Sequence, residues 1–298
     1  EFTPSRLYEL AKMDGAIITN HDASRIILAN AQLDPNPNLP TRETGIRHRT
    51  AERVAQQTGM LVVAISQRRS VVTLYQGNTI FRLRDMASIL VKANQALQTL
   101  EKYRNVLIRE LQRLGGMEFE DVVTVAEVCE VLHRCIRVLN IAEEIENYIA
   151  ELGSEGRLVK MQLDELVVNI REEATLIIKD YSHAPDKSPQ ELLNTILRAF
   201  EEDISDSVFI ARILSLGTTS SHLEQVVSPR GYRMLHKIPR IPLTIIDNLV
   251  ERFNLLKNIL PATIEELDDV EGIGEVRARS IKNGLQRMQE QALPEYIV

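Results

Sequence analysis

At Asp85 the spacing of apolar residues changes abruptly, and that change constrains the fold more than any other feature of the chain. Met86, Leu90, Ala93, Leu97, Leu100, Leu107, Leu111 and Leu114 fall at steps of three and four, or their sum, and the run stops at Gly115-Gly116. Such steps place all eight side chains on one face of a single helix about eight turns long. A helix of that length cannot bury its stripe against itself, so the pattern predicts a spine on which other elements pack. Helical patterns continue over Val138 to Leu152 and Arg157 to Tyr181, and "SHAPDKSP" marks a break before two shorter helices. This middle region holds no cluster of catalytic residue types, so its apolar stripes read as packing surfaces.

The residues before the spine have a different texture. Short β-rich runs (Gly15 to Thr19, Arg25 to Ala29, Leu61 to Ser66, Val71 to Tyr75) alternate with turn signals, the proline-punctuated loop "LDPNPNLPT" and one helix. Within this α/β segment, "TGIRHRTAERVA" packs Arg47, His48 and Arg49 side by side just before the expected start of that helix. Two guanidinium forks, an imidazole and the free amides of a first turn can converge on one anion, and a phosphate suits such a point. A solvated loop in which an arginine pairs with Glu43 or Glu52 accounts for the same residues. A second feature, "KMDGAIIT", sets Asp14 and a glycine at the mouth of a strand, which by itself is an ordinary turn.

The last seventy or so residues carry "KIPRIP" (237–242) and "VEGIGEVRARSIKNGL" (270–285). In the second, Gly272 and Gly274 bracket Ile273 between two helical patterns, the layout of a helix-hairpin-helix. That motif holds a nucleic-acid backbone through main-chain amides and the positive end of a helix dipole. Arg277, Arg279 and Lys282 follow and complete the candidate DNA contact. Ile241 and Ile273 are thirty-two residues apart, which predicts two tandem hairpins, the first degenerate because Arg240 and Pro242 stand where glycines are expected. A helical protein-interaction domain is the competing reading.

Charge restricts the mode of any nucleic-acid binding. The net charge is −7, and residues 230–298 hold ten Lys plus Arg against ten Asp plus Glu, so a broad positive face is excluded and binding must be local. A length of 298 residues with 44% apolar content supports two or three domains, each with its own core. The expected boundaries are 1–84 for the α/β domain, 85–229 for the helical spine and 230–298 for the tandem hairpins. Two cysteines, Cys129 and Cys135, fit neither a metal knuckle nor a redox pair and are assigned to packing. With no long apolar run and no signal-peptide pattern, the expected location is cytoplasmic.

Taken together, "LYELAKMDGA", "ANAQLDPNPNLPTRETGIRHRTAERVA", "ANQALQTLEKY" and the hairpin tail strongly resemble the bacterial DNA integrity scanning proteins, which are diadenylate cyclases. The resemblance runs from about residue 3 to the C-terminus. It implies an N-terminal mixed-sheet cyclase domain, a helical spine and a C-terminal helix-hairpin-helix domain. It also implies condensation of two ATP into cyclic di-AMP and two pyrophosphates, with sensing of branched DNA such as Holliday junctions. In the family pattern Asp14 holds a divalent metal, Mg²⁺ or Mn²⁺, and helps activate the hydroxyl, while Gly15 lets the backbone approach the nucleotide. Leu33 positions the adenine by backbone contact. Arg47, His48 and Arg49 clasp the triphosphate, with Thr50 and the Ile46 backbone completing the loop, and Ser66 and Arg69 are further candidates for phosphate contact. The family further implies face-to-face cyclase domains in an octamer and a nucleoid-associated location.

The family's cyclase domain has a further segment before "LYELAKMDGA", whereas thirteen residues precede Asp14 here, so the domain is expected to lack strands of its sheet. The alternative function is a non-catalytic junction binder whose front domain senses nucleotide. A ligase or excision-nuclease accessory fragment rests on the hairpins alone.

Overall fold

The computed structural model describes residues 2–66, 71–184, 186–201 and 206–292. The chain forms two compact units, Glu1–Ile89 and Leu90–Val298.

In the first unit, helix α1 (Pro4–Leu10) starts on the Thr3 side chain, which accepts from the Arg6 amide, with proline at its first turn. Strands β1 (Ala16–Thr19) and β2 (Ile26–Ala31) pair antiparallel, with Ala16 opposite Ala31. Helix α2 spans Ile46–Thr58 and ends on Gly59 in the left-handed region. Strands β3 (Val62–Ser66), β4 (Val71–Gln76) and β5 (Thr79–Arg82) form an antiparallel meander. Strand β5 was not anticipated from the sequence.

Because side chains alternate along a strand, the meander has two unlike faces. Ala64 and Tyr75, with Val62 and Ile80, pack against Ala51 and Ala55 of α2. On the other face Val63, Ile65 and Phe81 are exposed, and Val63 lies opposite Leu74, which in turn lies opposite Phe81.

The loop between β2 and α2 is fastened by one face of α2. The buried Glu52 carboxylate accepts from the Thr41 hydroxyl and from the Arg42 amide at 3.2 Å. Gln57 accepts from the Asn36 amide, and Arg53 donates to the Leu39 carbonyl.

The second unit is helical. Helix α3 (Met86–Glu120) does not stop at Gly115-Gly116 as expected but continues for another turn. The glycines serve close packing: a Cβ on Gly115 would lie 3.1 Å from the Met234 methyl, and one on Gly116 would lie 3.3 Å from the Ala292 carbonyl oxygen. Helix α4 (Val125–Leu152) begins earlier than its apolar pattern predicts, on a reciprocal Thr124/Glu127 capping box. It buries Cys129 and Cys135, both free, and burial pushes their thiols up to about 12. The helix expected over Arg157 to Tyr181 is broken into α5 (Arg157–Val167) and α6 (Ile170–Tyr181) by Asn169 at φ +63°. Two shorter helices, α7 (Pro189–Glu201) and α8 (Ser207–Ile213), follow.

The chain then forms α9 (Tyr232–His236), α10 (Leu243–Phe253), α11 (Leu256–Ile259), α12 (Ile264–Asp268) and α13 (Glu275–Ala292). Helices α9 and α10 flank one hairpin, and α12 and α13 flank the other. The thirty-two-residue offset maps core onto core: Leu235 onto Leu267, Ile246 onto Ala278 and Leu249 onto Ile281, all without exposed surface.

A buried polar network joins α9 to α3 and α6. The Arg233 guanidinium has no exposed surface and donates through Nε to Glu118 Oε1 at 3.2 Å, with a second, shorter contact to Glu118 Oε2. Tyr181 donates its hydroxyl proton to the same carboxylate at 2.9 Å. Asp180 accepts from the amides of Gly231, Tyr232 and Arg233 at 2.7–3.0 Å. Burial, with the nearby Glu118 charge, pushes the Asp180 carboxyl up to about 7 against the pull of those amides.

Candidate nucleotide and nucleic-acid sites

Asp14 lies in the turn between α1 and β1. Thirty-three residues later Arg47 lies in the first turn of α2, and the fold brings them together: the Arg47 Nη2 group is 3.5 Å from Asp14 Oδ1, with the carboxylate fully exposed. An exposed pair at that distance adds little stability. Its guanidinium and carboxylate both remain available to a ligand.

The turn carrying Asp14 is held from behind. The Gly15 amide donates to Asn30 Oδ1 at 3.2 Å, and Asn30 sits on β2 at φ +54°. A Cβ on Gly15 would lie 2.3 Å from the Asn30 carbonyl carbon, so the glycine is required by this strand approach, a reason the sequence does not show.

Helix α2 begins at Ile46 on Gly45, so the Arg-His-Arg run lies inside the helix instead of ahead of it. Residues two apart on a helix leave it in directions about 200° apart. Arg47 reaches Asp14, while Arg49 is exposed and leaves the helix in a different direction. His48 stands edge-on to the Tyr75 ring at 6.4 Å between centroids. Gly45 offers no side-chain cap and the first turn carries no acidic residue, so the helix start stays electropositive. Ile46 is exposed and Thr50 half-buried; Leu33 is half-buried just past β2. Ser66 ends β3 opposite Val71, and Arg69 lies outside the described residues.

Glu43, which the sequence offered as a partner for the Arg-His-Arg run, is taken by other groups. Its Oε1 accepts from Arg82 at 2.6 Å and from the Tyr75 hydroxyl at 3.0 Å. Burial pushes the Glu43 carboxyl up, but these two hydrogen bonds outweigh it and hold the group below its ordinary value. Arg82 and Tyr75, together with Glu52, fix the loop leading to α2. No spacing motif links them, and only the β4–β5 register reveals the set.

At the other end of the chain, Gly272 sits at φ +82° and opens the turn between α12 and α13, while a Cβ on Gly274 would meet nothing within 4 Å. Ile273 is buried beneath the turn. The first backbone hydrogen bond into α13 runs from the Ala278 amide to the Gly274 carbonyl, so the amides ahead of it are free of helix acceptors. The three basic side chains are placed less openly. Arg277 donates to the Gly272 carbonyl at 2.7 Å, Arg279 pairs with Glu275, and the Lys282 ammonium donates to the Leu260 and Ala262 carbonyls at 2.9 and 2.7 Å.

Comparison with known proteins places this geometry in a family. The chain is 58% identical over 292 residues to the DNA integrity scanning protein DisA of Carboxydothermus hydrogenoformans, an alignment covering 98% of this chain and 83% of the relative. The chain belongs to the DisA family. It is similarly 51% identical over 289 residues to DisA of Bacillus subtilis, covering 97% of this chain and 80% of that protein. The family model described as DisA bacterial checkpoint controller nucleotide-binding matches residues 1–80, so Asp14 and Arg47 lie in the DisA nucleotide-binding region. The DisA linker model matches residues 83–223, and a helix-hairpin-helix model matches residues 255–283. The β-containing front, helical middle and hairpin tail are thus those of DisA. Among the described residues no helix is long and apolar enough to cross a membrane.

Proposed function

We propose that this chain is a diadenylate cyclase that condenses two ATP into cyclic di-AMP and two pyrophosphates, and that its hairpin region couples the reaction to branched DNA such as Holliday junctions. The observation that carries the reading is the meeting of Asp14 and Arg47 at the uncapped start of α2, within a nucleotide-binding region. In the reaction the 3'-hydroxyl of each nucleotide attacks the α-phosphate of the other, and pyrophosphate leaves in line. Phosphoryl transfer of this kind asks a protein for position and charge more than for covalent chemistry.

Arg47 and the first-turn amides of α2 neutralise the triphosphate, with His48, Arg49, Thr50 and the Ile46 backbone around it and Ser66 and Arg69 as further contacts. Leu33 sets the adenine by its backbone. Asp14 draws the proton of the attacking hydroxyl toward its carboxylate.

The donor set also bears on the metal. Among the described residues no three His, Cys, Asp or Glu side chains form a metal cluster. A lone exposed carboxylate instead suits a hard divalent cation, Mg²⁺ or Mn²⁺, that takes most of its oxygens from triphosphate and water. Bound there, such a cation neutralises the charge that builds on the transferring phosphate and its leaving group.

One chain supplies one half-site for a reaction symmetric in two nucleotides, so two cyclase domains face each other, in an octamer by resemblance to the family. The test is to incubate the chain with ATP and Mg²⁺ or Mn²⁺ and identify cyclic di-AMP by mass. Asp14→Asn is expected to retain ATP binding and lose product, and Arg47→Ala to weaken ATP binding roughly tenfold or more, the scale of a lost charge-assisted hydrogen bond. ATP binding without product from the unsubstituted chain would favour the nucleotide-sensing reading, and normal turnover by Asp14→Asn would remove that carboxylate from the mechanism.

A further inference from the structure

The two hairpins superimpose in sequence at an offset of thirty-two residues, and their backbones agree at the turn. Gly272 sits at φ +82°, and its counterpart Arg240 sits at φ +65°. A glycine reaches that region freely, whereas a side chain with a Cβ is sterically disfavoured there. The first hairpin therefore keeps an arginine where its own backbone favours glycine. A residue held in a disfavoured conformation points to a use for its side chain.

The surroundings of Arg240 indicate the use. It is exposed between two exposed prolines, and among the described residues its guanidinium has no hydrogen-bond or ion-pair partner. The cations of the second hairpin contrast with it, since Arg277, Arg279 and Lys282 are all engaged within the chain. The turn amides differ at one position. The second hairpin offers the open Gly274 ahead of the first amides of α13, while the first hairpin has Pro242, which has no N–H, at the equivalent position ahead of the first amides of α10.

From this we infer that the first hairpin is a second phosphate-binding point for duplex DNA, made by the Arg240 guanidinium where Pro242 removes the turn amide that Gly274 supplies in the second. The inference rests on the reading of the hairpin region as a DNA interface and adds a division of labour: one hairpin binds by fixed dipoles, the other by a formal charge. The shared core of the two hairpins sets the spacing of both points along the backbone. A chain with net charge −7 gains a phosphate contact this way without a broad basic face.

The two modes differ in their response to salt. A formal charge that neutralises a phosphate releases a counterion and contributes about 0.9 to the slope of log affinity against log salt, whereas an amide contributes none. The test titrates the 298-residue chain with a fluorescein-labelled duplex of about 20 base pairs between roughly 50 and 250 mM NaCl. Arg240→Gly relieves the backbone conformation, so its thermal midpoint is expected to match or exceed that of the unsubstituted chain. Its affinity is expected to fall roughly five- to tenfold at 100 mM NaCl, with a slope shallower by about 0.9. Arg240→Lys keeps the slope. Gly274→Val loses affinity with the slope unchanged.

If Arg240→Gly leaves affinity and slope as they were, or lowers affinity with no change in slope, while Gly274→Val weakens binding, the inference is wrong and the second hairpin alone remains the interface. If neither variant affects binding, the reading of this region as a DNA interface fails and the inference falls with it.

Discussion

The Asp14 turn shows how much of a site rests on one residue without a side chain. The position a Gly15 Cβ would take is occupied by Asn30 backbone at 2.3 and 2.5 Å, and backbone cannot rotate away as a long side chain can. Gly15→Ala is therefore expected to destabilise the first unit by about 1–3 kcal/mol, the usual scale of overpacking, and to lower nucleotide binding because the turn through which the backbone approaches the nucleotide is displaced. Chemical denaturation and ATP titration of the same variant check both effects, and an unchanged unfolding midpoint would show that the strands separate at no cost. Asp14 and Arg47, which the fold brings to 3.5 Å, were legible as a pair of motifs, but the reason for the glycine was not, since Asn30 is fifteen residues away, on β2. The divergence of Arg47 and Arg49 was hidden for a different reason. Gly45 gives no side-chain capping signal and the first turn of α2 is polar, so the helix reads as starting several residues late.

Elements were legible where apolar periodicity is long and uninterrupted. The α3 stripe announced a spine, yet Gly115-Gly116 imitates a helix stop, and only the approach of Met234 explains why the helix runs through it. The break at Asn169 was missed because an asparagine in the left-handed region has no periodic signature. The joint between α6 and α9 could not be read at all, since Asp180 and Gly231 are fifty-one residues apart. That joint carries a pH dependence. The folded chain keeps the Asp180 proton up to about pH 7, whereas an unfolded carboxyl releases it near 4, so the folded state binds more protons in between. Asp180 alone therefore makes stability fall as pH rises from about 4 to about 7, with Glu118, Arg233 and Tyr181 as the charged and titratable groups around it. Thermal unfolding across that window is expected to lose this component in Asp180→Asn. An identical pH profile in the variant would mean that the carboxylate stays ionised under its three amides.

For the whole molecule, symmetry of the reaction sets the expectation. If each product needs one half-site from each of two facing chains, an equal mixture of unsubstituted and Asp14→Asn protein, paired at random, leaves about a quarter of pairs intact. The rate per total chain should then fall to about a quarter of the unsubstituted value, and a fall to one half would show that each chain works alone. The outer face of the β3–β4–β5 meander is apolar, with Val63, Ile65 and Phe81 exposed, and the relatives exceed the aligned region by about a fifth of their length. Multidomain order was legible because texture changes at Asp85 and again near the hairpins, while the shared packing of spine and hairpins within one unit was not, because it depends on contacts between distant residues such as Glu118 and Arg233. The two sealed cysteines bear on how such questions can be asked. With both thiols buried and weakly acidic, a maleimide dye has no ready native target, so Ser280→Cys on the exposed side of α13 gives a single attachment point from which hairpin docking on DNA can be followed by fluorescence in real time.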